Sequence, residues 1–354
     1  MGKSLVIVGR NLQPGGSERV ISQLANHFSE KGIKVSIITM DFEDTFFEIN
    51  ESVALFMIGK RSNNRLIDKI CRYTILRKTV KSIAPQVVLS LPEDIGIYVI
   101  GALIGTRIPV FVSERNNPWI MPNVTITRLL RRLLYPFAKG IIFQTEIAKS
   151  FFPNSIQMKG VVIDNPVDIL RIPEKYCGKR NNTVVSVGRL AAQKNYALLL
   201  DAFAEFSKDT DYQLVIYGEG PERRALEERA KSLGISDKVF LPGSCSDVLS
   251  LIRNCAMFIL TSDYEGMPNV LLEAMCMGMP VISSDCPSGG PRKLIVNEKN
   301  GLLFPIKNKE KLVENMFKMC NIELSERLAD EAYKIRGDYT NDTVFDKWEN
   351  YLFG

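Results

Sequence analysis

Two cations in one short turn form the first candidate for chemistry. Arg189 and Lys194 follow the apolar run 183–187 and precede a helical pattern that begins near 195. A guanidinium binds phosphate oxygens as a planar fork, and an ammonium adds a compact positive charge. The pair could therefore neutralise a diphosphate. The alternative is an ordinary basic turn that faces solvent.

Two glutamates eight positions apart form the second candidate. The same interval recurs at three other pairs of glutamates in the chain, so the spacing alone is not informative. Only Glu265 and Glu273 follow an apolar strand pattern and enclose Gly266 and Pro268, and a proline is common at a helix start. We therefore predict that Glu265 lies in a loop and Glu273 in the following helix. Both could face one pocket at a helix N-terminus, which attracts anions.

A glycine-rich turn lies near the start of the chain, in the segment 14–19 (PGGSER). Adjacent glycines let the backbone approach a ligand closely, and the first N–H groups of the next helix can bind an anion. The segment matches neither the Walker loop nor the GxGxxG fingerprint. The alternative is a tight turn in which Ser17 caps the helix.

Polar clusters follow two more predicted strands. The segment 113–118 (SERNNP) contains Glu114, Arg115 and Asn116, and the segment 284–291 (SDCPSGGP) follows a later strand. In doubly wound α/β domains, ligands bind at the carboxyl ends of the strands. Both clusters could also be ordinary turns, because they are rich in Asn, Pro and Gly.

The order of apolar runs predicts the elements that would position these residues. Short β-rich runs alternate with helical patterns, which is typical of parallel α/β sheets. We predict strands at 4–9, 34–39, 86–90, 109–113, 140–143, 160–163, 183–187, 213–217, 238–241, 256–260 and 280–283. Helices are expected at 17–31, 195–208, 221–233, 246–253, 268–277 and 309–319.

The polar stretch 174–182 (EKYCGKRNN) separates two such series and predicts a linker. The length of 354 residues agrees with two Rossmann-like domains, which we place at 1–172 and 173–339. The last segment, 340–354, contains three aromatic residues and is expected to pack back on the first domain. Two domains of this kind would bind ligands in a cleft between their strand ends.

Composition excludes several classes of protein. The single histidine, His27, excludes sites built from several imidazoles, such as a His-rich zinc centre. The seven cysteines contain no CxxC pair and are expected to be reduced thiols of a cytoplasmic protein. The apolar run before Arg10 is too short for a signal-peptide core, and Glu93 and Asp94 interrupt the best candidate for a membrane span.

Charge is unevenly distributed along the chain. Residues 1–172 contain 22 Lys and Arg against 14 Asp and Glu, a net charge of +8, whereas the whole chain carries +5. Two basic stretches, 60–81 and 128–139, interleave cations with apolar residues, which favours an anionic membrane surface. A helix with a solvated basic face is the alternative. Nucleic acid is not expected as a partner, because no binding module is recognisable.

Taken in order, the motifs resemble the retaining GT-B glycosyltransferases of family 4 over essentially the whole chain. The resemblance is carried by the segments 14–19, 165–166, 187–194, 217–221, 241–243, 265–291 and 300–303. SERNNP and SDCPSGGP look most similar to bacterial enzymes that add N-acetylgalactosamine or related sugars to lipid-linked glycans. The resemblance implies an α/β, GT-B fold with two Rossmann-like domains.

The resemblance also implies roles for particular residues. Arg189 and Lys194 would hold the donor diphosphate, Glu265 would contact the donor sugar, and Glu273 would bind the ribose hydroxyls. The other donor-binding residues would be Gly16, Gly218, Pro242, Gly243, Met267, Asn269 and Val270. Glu114, Arg115 and Asn116 would lie on the acceptor side. Many relatives have a histidine in that loop where this chain has Arg115.

These residues predict a sugar transfer from a UDP-sugar to a lipid-linked or glycan acceptor, at the cytoplasmic face of the membrane. Neither a metal ion nor a cofactor is expected. A UDP-sugar 2-epimerase of the same architecture is an alternative, although such sites use histidines. A nucleotide-sugar-binding subunit without catalytic activity is the other, and the presence of both glutamates and both cations disfavours it.

Overall fold

The computed structural model describes residues 2–13, 15–339 and 341–354. The chain forms two compact units, one made of Met1–Pro166 with Asn341–Gly354 and the other of Val167–Thr340. Pro14 of the glycine-rich segment, and position 340 at the start of the predicted last segment, lie outside the described residues. Each unit is built on one sheet in which all described strand pairs are parallel.

The first unit has a seven-stranded sheet in the order β3-β2-β1-β4-β5-β6-β7, and the second a six-stranded sheet in the order β10-β9-β8-β11-β12-β13. The strands are β1 (Ser4–Gly9), β2 (Lys34–Thr39), β3 (Ala54–Met57), β4 (Val87–Ser90), β5 (Val110–Ser113), β6 (Gly140–Phe143), β7 (Gly160–Val162), β8 (Asn181–Val187), β9 (Gln213–Tyr217), β10 (Val239–Gly243), β11 (Cys255–Leu260), β12 (Val281–Asp285) and β13 (Leu302–Pro305).

Helices connect the strands, as parallel sheets require. They are α1 (Gly16–Glu30), α2 (Arg65–Ile83), α3 (Glu93–Leu103), α4 (Thr125–Leu134), α5 (Glu146–Ser150), α6 (Asn154–Gln157), α7 (Tyr196–Phe206), α8 (Arg223–Ser232), α9 (Val248–Ile252), α10 (Asn269–Cys276), α11 (Gly290–Leu294), α12 (Lys309–Met319), α13 (Ile322–Tyr333) and α14 (Asn341–Phe353). In the part of the chain that the structure describes, none of them combines the length and the hydropathy needed to span a membrane.

Apolar side chains bury the central strands of each sheet. In β1 the run Leu5–Val8 is almost fully enclosed, and Val184 and Val185 are enclosed in the same way in β8. Continuous apolar runs of this kind are typical of strands covered on both faces. The α/β fold of two Rossmann-like parallel sheets, predicted from the alternation of runs, is therefore confirmed.

The end of the chain belongs to the first unit. Trp348 of α14 is fully buried, and its indole nitrogen donates a hydrogen bond to the carbonyl oxygen of Asp164 at 3.1 Å. The hydroxyl of Tyr351 donates to the carbonyl of Lys159. His27 of α1 stacks on Phe345 of α14, with ring centroids 3.9 Å apart. The α14 helix thus covers one side of the first sheet.

The second unit begins before the polar stretch 174–182. The guanidinium of Arg336, in the last turn of this unit, donates hydrogen bonds to the carbonyls of Ile169, Ile172 and Pro173 at 3.2, 3.2 and 3.3 Å. These bonds attach the segment 169–173 to the second unit rather than the first. The division therefore lies at Pro166 and Val167.

Candidate active site

The carboxyl ends of β8, β9 and β10 bring three glycines together. The amide of Gly218 donates to the carbonyl of Gly243 at 2.8 Å, and the amide of Gly188 donates to the carbonyl of Tyr217 at 2.9 Å. A Cβ atom on Gly218, which has φ of 146°, would lie 1.9 Å from the carbonyl oxygen of Gly188. Only glycine fits there. Two of the predicted donor-binding residues, Gly218 and Gly243, are therefore neighbours at the carboxyl ends of β9 and β10.

A glutamate and an arginine order the loop beside this edge. Arg223 of α8 donates two hydrogen bonds to the carboxylate of Glu219, at 2.6 and 2.9 Å, and a third to the carbonyl of Leu241 at 3.1 Å. Arg223 thus links the ends of β9 and β10. Pro242, between Leu241 and Gly243, remains exposed. At this end of the site the ring of Pro242 is exposed, whereas Gly243 is buried.

Lys194 and Glu265 form an ion pair at the centre of the same edge. Lys194 Nζ lies 2.6 Å from Glu265 Oε1, and the hydroxyl of Ser262 donates to the same oxygen at 2.6 Å. Glu265 Oε2 accepts no hydrogen bond from any described residue. One carboxylate oxygen is therefore fixed in place, and the other remains available as an acceptor.

Arg189 differs from Lys194 in its surroundings. Its side chain is exposed, and it forms no ion pair with any residue that the structure describes. Burial raises the pKa of Tyr264, and the positive charge of Arg189 opposes that shift, so the guanidinium is within electrostatic reach of the loop that carries Glu265. The two predicted cations are thus not equivalent: one is paired inside the unit and the other faces outward.

Hydrogen bonds join the turn after β8 to the loop after β11. The amide of Asp263 donates to the carbonyl of Gln193 at 2.9 Å, and the Gln193 side chain donates to the carbonyl of Tyr264 at 2.8 Å. The hydroxyl of Thr261 donates to the carbonyl of Lys194 at 2.9 Å. Because each segment holds the other, the ion pair has little freedom to move.

The loop after β12 supports Glu265 from the other side. The hydroxyl of Ser288 donates to the carbonyl of Glu265. Gly290 lies against Gly266 so closely that a Cβ atom at 290 would be 1.6 Å from the Gly266 carbonyl oxygen. The segment 284–291 therefore packs against the segment that contains Glu265, as two neighbouring parallel strands place their following loops side by side.

The N-terminus of α10 lies directly after this loop. The helix begins at Asn269 with Pro268 as its N-cap residue, and Met267 is buried just before it. The amides of Asn269 and Val270 occupy the first positions, whose N–H groups have no acceptor within the helix. Glu273 is buried one turn further on. The helix dipole makes this end favourable for an anion such as a phosphate group.

In the first unit, the helix after the glycine-rich turn begins at Gly16. The N-cap residue is Gly15, which has no side chain to accept a hydrogen bond, so the interpretation of Ser17 as the cap is wrong. The physical reason is that a second glycine lets the backbone start the helix two residues earlier than a cap at Ser17 would. Gly16 is exposed at the carboxyl edge of the first sheet, next to the end of β1.

Glu114 is turned into the first unit. It is 1% exposed, its Oε2 lies 3.4 Å from Arg131 Nη1 of α4, and it accepts a hydrogen bond from the hydroxyl of Tyr135. Burial raises the pKa of Glu114 to about 7, although the charge of Arg131 opposes the shift. Glu114 thus connects the loop after β5 to the following helix.

Arg115 is buried in a second polar network. Its Nη2 donates to Asn165 Oδ1 at 2.6 Å, and its amide donates to Glu93 Oε2 at 3.2 Å. The other oxygen of Glu93 accepts from the side chain of Asn116 at 3.1 Å. Burial lowers the pKa of Arg115 to about 10 and raises the pKa of Glu93. The structure thus brings Arg115 and Asn116 together around Glu93, at the strand ends of the first sheet.

Family models match both units of this chain. The model described as Glycosyltransferase Family 4 matches residues 14–171, and the model described as Glycosyl transferases group 1 matches residues 172–335. The chain is a family 4, group 1 glycosyltransferase. The activity class predicted from the ordered motifs is therefore confirmed.

Curated relatives cover nearly the whole glycosyltransferase. A Campylobacter jejuni protein named as an α-1,4-N-acetyl-D-galactosaminyltransferase acting on an undecaprenol-diphosphate-linked glycan is 28% identical over 348 residues, which cover 95% of this chain and 94% of the relative. An uncharacterised glycosyltransferase of Haemophilus influenzae is 27% identical over 343 residues, which cover 96% of both chains.

Solved structures confirm the GT-B fold. TarM superposes with a TM-score of 0.83 at 13% identity over 99% of both chains. Sucrose-phosphate synthase from Thermosynechococcus elongatus gives a TM-score of 0.85 at 15% identity, covering 99% of this chain and 98% of the other. Anabaena HepE, solved with UDP-glucose, gives 0.83 at 17% identity over 99% of both chains.

Several residues of the glycosyltransferase site were not identified from its sequence. Ser262 and Ser288 hold Glu265, but isolated serines give no pattern from which a contact could be inferred. Glu93 entered the sequence analysis only as a charge that interrupts an apolar run. A glutamate directly after Pro92 at a strand end was the available signal. Gln144 donates to Asn165 Oδ1 at 2.7 Å and completes the network around Arg115.

Proposed function

We propose that this glycosyltransferase moves an N-acetylhexosamine or hexose from a UDP-sugar to a lipid-linked glycan, with retention of the anomeric configuration. The reaction would contribute to a bacterial surface polysaccharide or glycan. Support comes from the relatives, since two Campylobacter jejuni proteins are named as N-acetylgalactosaminyltransferases acting on diphospho-undecaprenol glycans. An Erwinia amylovora relative is named as an amylovoran biosynthesis glycosyltransferase.

The observation that carries the proposal is the pairing of Lys194 with Glu265 beside the cation of Arg189, which forms no ion pair with any described residue. A nucleotide diphosphate brings negative charge, and an exposed guanidinium without a carboxylate partner can form two parallel hydrogen bonds to it. The ammonium of Lys194, fixed by Glu265, would add positive charge at a set position. Both would stabilise the charge that develops on the diphosphate as the sugar leaves.

Glu265 has a separate task in this proposal. Its Oε1 is held by Lys194 and Ser262, while Oε2 would accept a hydrogen bond from a hydroxyl of the donor sugar. Glu273 would accept from the ribose hydroxyls, and the amides of Asn269 and Val270 would face the phosphates. Gly218, Pro242 and Gly243 would lie against the nucleobase.

The transfer needs no protein nucleophile in this scheme. The oxygen of an acceptor hydroxyl forms a bond to C1 of the sugar, and the bond from C1 to the β-phosphate oxygen breaks with its electron pair remaining on the phosphate. The acceptor proton moves to an oxygen of the departing phosphate. Because attack and departure occur on the same face, the configuration at C1 is retained.

We propose further that neither a cofactor nor a metal ion takes part, since Arg189 and Lys194 supply the positive charge. The enzyme would work at the inner face of the cell membrane, where a lipid-linked acceptor is carried. The charge of the first half of the chain, +8 over residues 1–172, supports an anionic surface as a partner.

A substrate panel tests the proposal. The purified protein is incubated with UDP- and GDP-sugars, with and without a polyprenyl-diphosphate glycan, in the presence of a chelator, and the products are resolved by mass spectrometry and NMR. Transfer from a UDP-sugar with an α-linked product from an α-linked donor is expected. Interconversion of the donor alone, inversion at C1, or loss of transfer in the chelator would each contradict part of it.

A further inference from the structure

The α4 helix exposes its apolar face and buries a charge. Ile126, Leu129, Leu130 and Leu133, with Phe137 in the turn that follows, are each between 40% and 62% exposed. They recur at the spacing of one helix face. Arg131, in contrast, is 3% exposed. A surface helix of a globular protein normally has the opposite orientation, so the outward apolar face needs a partner.

The buried arginine fixes this orientation. The guanidinium of Arg131 contacts the carboxylate of Glu114 and donates to the carbonyls of Pro118 and Met121, both at 2.9 Å. It also lies over the rings of Phe151 and Phe152, at 5.1 Å from each centroid. Rotating α4 to bury its leucines would break all of these contacts. The exposed face is therefore held in place by the rest of the unit.

The loop before α4 extends the same surface. Trp119 is 46% exposed, and its ring packs against that of Phe151. Arg128 donates to the carbonyls of Ile120 and Pro122 at 2.6 and 2.7 Å, so the loop and the helix are joined. We call the exposed side chains of 119, 120, 126, 129, 130, 133 and 137 the α4 surface.

The charges at its border select the partner. Arg132 is exposed beside the leucines and forms no ion pair with any residue that the structure describes. A second copy of the chain, packed face to face on the α4 surface, would bring two such cations together, which is unfavourable. A bilayer with anionic lipids accepts both the apolar side chains and the cation.

We propose that the α4 surface binds an anionic lipid bilayer, with α4 parallel to the membrane plane and its leucines in the boundary between headgroups and acyl chains. The proposal rests on the proposed function in one respect, namely that a lipid carries the acceptor. Glu114 connects α4 to the loop that holds Arg115, so docking at α4 places the predicted acceptor side beside the membrane.

The other basic stretch, which forms α2, exposes a smaller apolar face than α4 does. In α2, exposed apolar side chains occur only in the first turns, at Leu66, Ile67 and Ile70. Both α2 and α4 pack against α3, so α2 can add cations near the same surface. The apolar face that continues along a helix belongs to α4, and we therefore assign the insertion to α4.

The two tryptophans provide an internal measurement. Trp119 belongs to the α4 surface, whereas Trp348 is fully buried. Adding vesicles of phosphatidylcholine with phosphatidylglycerol is expected to shift the emission of the wild-type protein to shorter wavelength, and brominated lipids should quench it. The Trp119→Phe variant, which retains only Trp348, should show neither effect. Equal responses from both proteins would overturn the proposal.

Surface variants complete the test by vesicle flotation. Leu129→Ser with Leu133→Ser should reduce the fraction bound to anionic vesicles at least tenfold. A matched pair in the second unit, Leu251→Ser with Ile322→Ser, also replaces exposed side chains and should bind as the wild type does. Arg132→Gln should weaken binding mainly at low salt, since screening reduces the charge contribution. Unchanged binding by the Leu129/Leu133 variant contradicts the assignment, as does a wild-type dimer that this variant dissociates.

These assays contain neither donor nor acceptor, so they are independent of catalysis. If vesicles bind through the α4 surface but no sugar is transferred, the proposed function fails and the docking surface stands. If transfer occurs and the Leu129/Leu133 variant is equally active on a vesicle-borne and a short water-soluble acceptor, the docking surface fails alone. The expected result is a loss of activity confined to the vesicle-borne acceptor.

Discussion

Lys194 and Glu265 are 71 positions apart in the chain, yet Nζ and Oε1 lie 2.6 Å apart, with their side chains 16% and 10% exposed. The resemblance implies that both residues bind substrate. The pair therefore has a structural role in addition to a proposed catalytic one, because it joins the turn after β8 to the loop after β11. The two roles can be separated by experiment.

Removing one partner leaves the other charge partly buried without compensation. We expect Lys194→Met to lower the free energy of unfolding by about 3 kcal/mol. The double variant Lys194→Met with Glu265→Gln should regain most of that loss, since no uncompensated charge remains. Neither the single nor the double variant should transfer sugar. Chemical denaturation and initial rates of transfer measure the two effects, and a double variant as unstable as the single one would show that the pair does not determine stability.

Arg189 offers the opposite case, a cation whose loss costs little stability. Because its side chain is exposed and has no carboxylate partner among the described residues, Arg189→Ala should change the unfolding free energy by less than about 0.5 kcal/mol. Turnover should fall by about two to three orders of magnitude, as when an electrostatic donor to the leaving group is lost.

Arg224 provides the control for that experiment. It is an exposed arginine of α8 that pairs with Glu228 one turn away, so Arg224→Ala should leave both stability and turnover unchanged. Steady-state kinetics with saturating donor are the measurement. Turnover of Arg189→Ala within a factor of three of the control would remove Arg189 from the diphosphate site.

A third prediction concerns the glycine contact at the strand ends. Gly218→Ala places a Cβ atom 1.9 Å from the Gly188 carbonyl oxygen, so the two loops must separate. Donor affinity should decrease at least tenfold in calorimetric titration with UDP-sugar. Gly234→Ala is a suitable control, because Gly234 also has a positive φ but has open space around its Cβ position. The Gly234 variant should lose some stability but keep its donor affinity.

The sequence predicted the sheets better than their edges. All eleven expected strands exist, because each contains an apolar run beside a turn. The two strands that the sequence did not predict, β3 and β13, are edge strands of four residues. Because β3 is half exposed, its residues form no buried run. Edge strands are short in many proteins and give a weak signal.

The candidate site could likewise be predicted only in part from the sequence. Glycines and charged residues at strand ends could be assigned from their position after apolar runs. The partners that hold them could not, since Ser288 becomes a neighbour of Glu265 only through the order of the strands, and Ser262, three residues before Glu265, is a single serine without a pattern. The sequence shows cations interleaved with apolar residues at 128–139, but only the position of Arg131 in the structure shows which face of α4 is turned outward.

Arg115 is buried at the strand ends of the first sheet, which leads to a fourth prediction. Its guanidinium donates a 2.6 Å hydrogen bond to Asn165 Oδ1. The ammonium group of a lysine lacks the planar arrangement of donors and cannot reproduce this geometry. We expect both Arg115→Lys and Arg115→Ala to reduce kcat/KM at least tenfold, with the larger effect on KM for the acceptor. Arg107→Ala, at an exposed position of the same unit, should match the wild type. An effect confined to the donor KM would place Arg115 on the donor side.

Glu114 gives the stability of the first unit a pH dependence. Its pKa is raised to about 7 in the folded protein from an ordinary value of 4.5, mainly by burial. The folded state therefore binds more protons than the unfolded state between these values, and the contribution to stability is lost as the pH rises from about 4.5 through 7. At 1.36 kcal/mol per pKa unit, the change is about 3 kcal/mol.

Glu114→Gln removes this dependence while keeping an acceptor for the Tyr135 hydroxyl. Both tryptophans lie in the first unit, so fluorescence-monitored denaturation at a series of pH values reports on it directly. The wild type should lose more stability than the variant between pH 5 and pH 8, because only the wild type must ionise a buried carboxyl group. Parallel curves for the two proteins would mean that Glu114 is ionised throughout, with Arg131 compensating its charge completely.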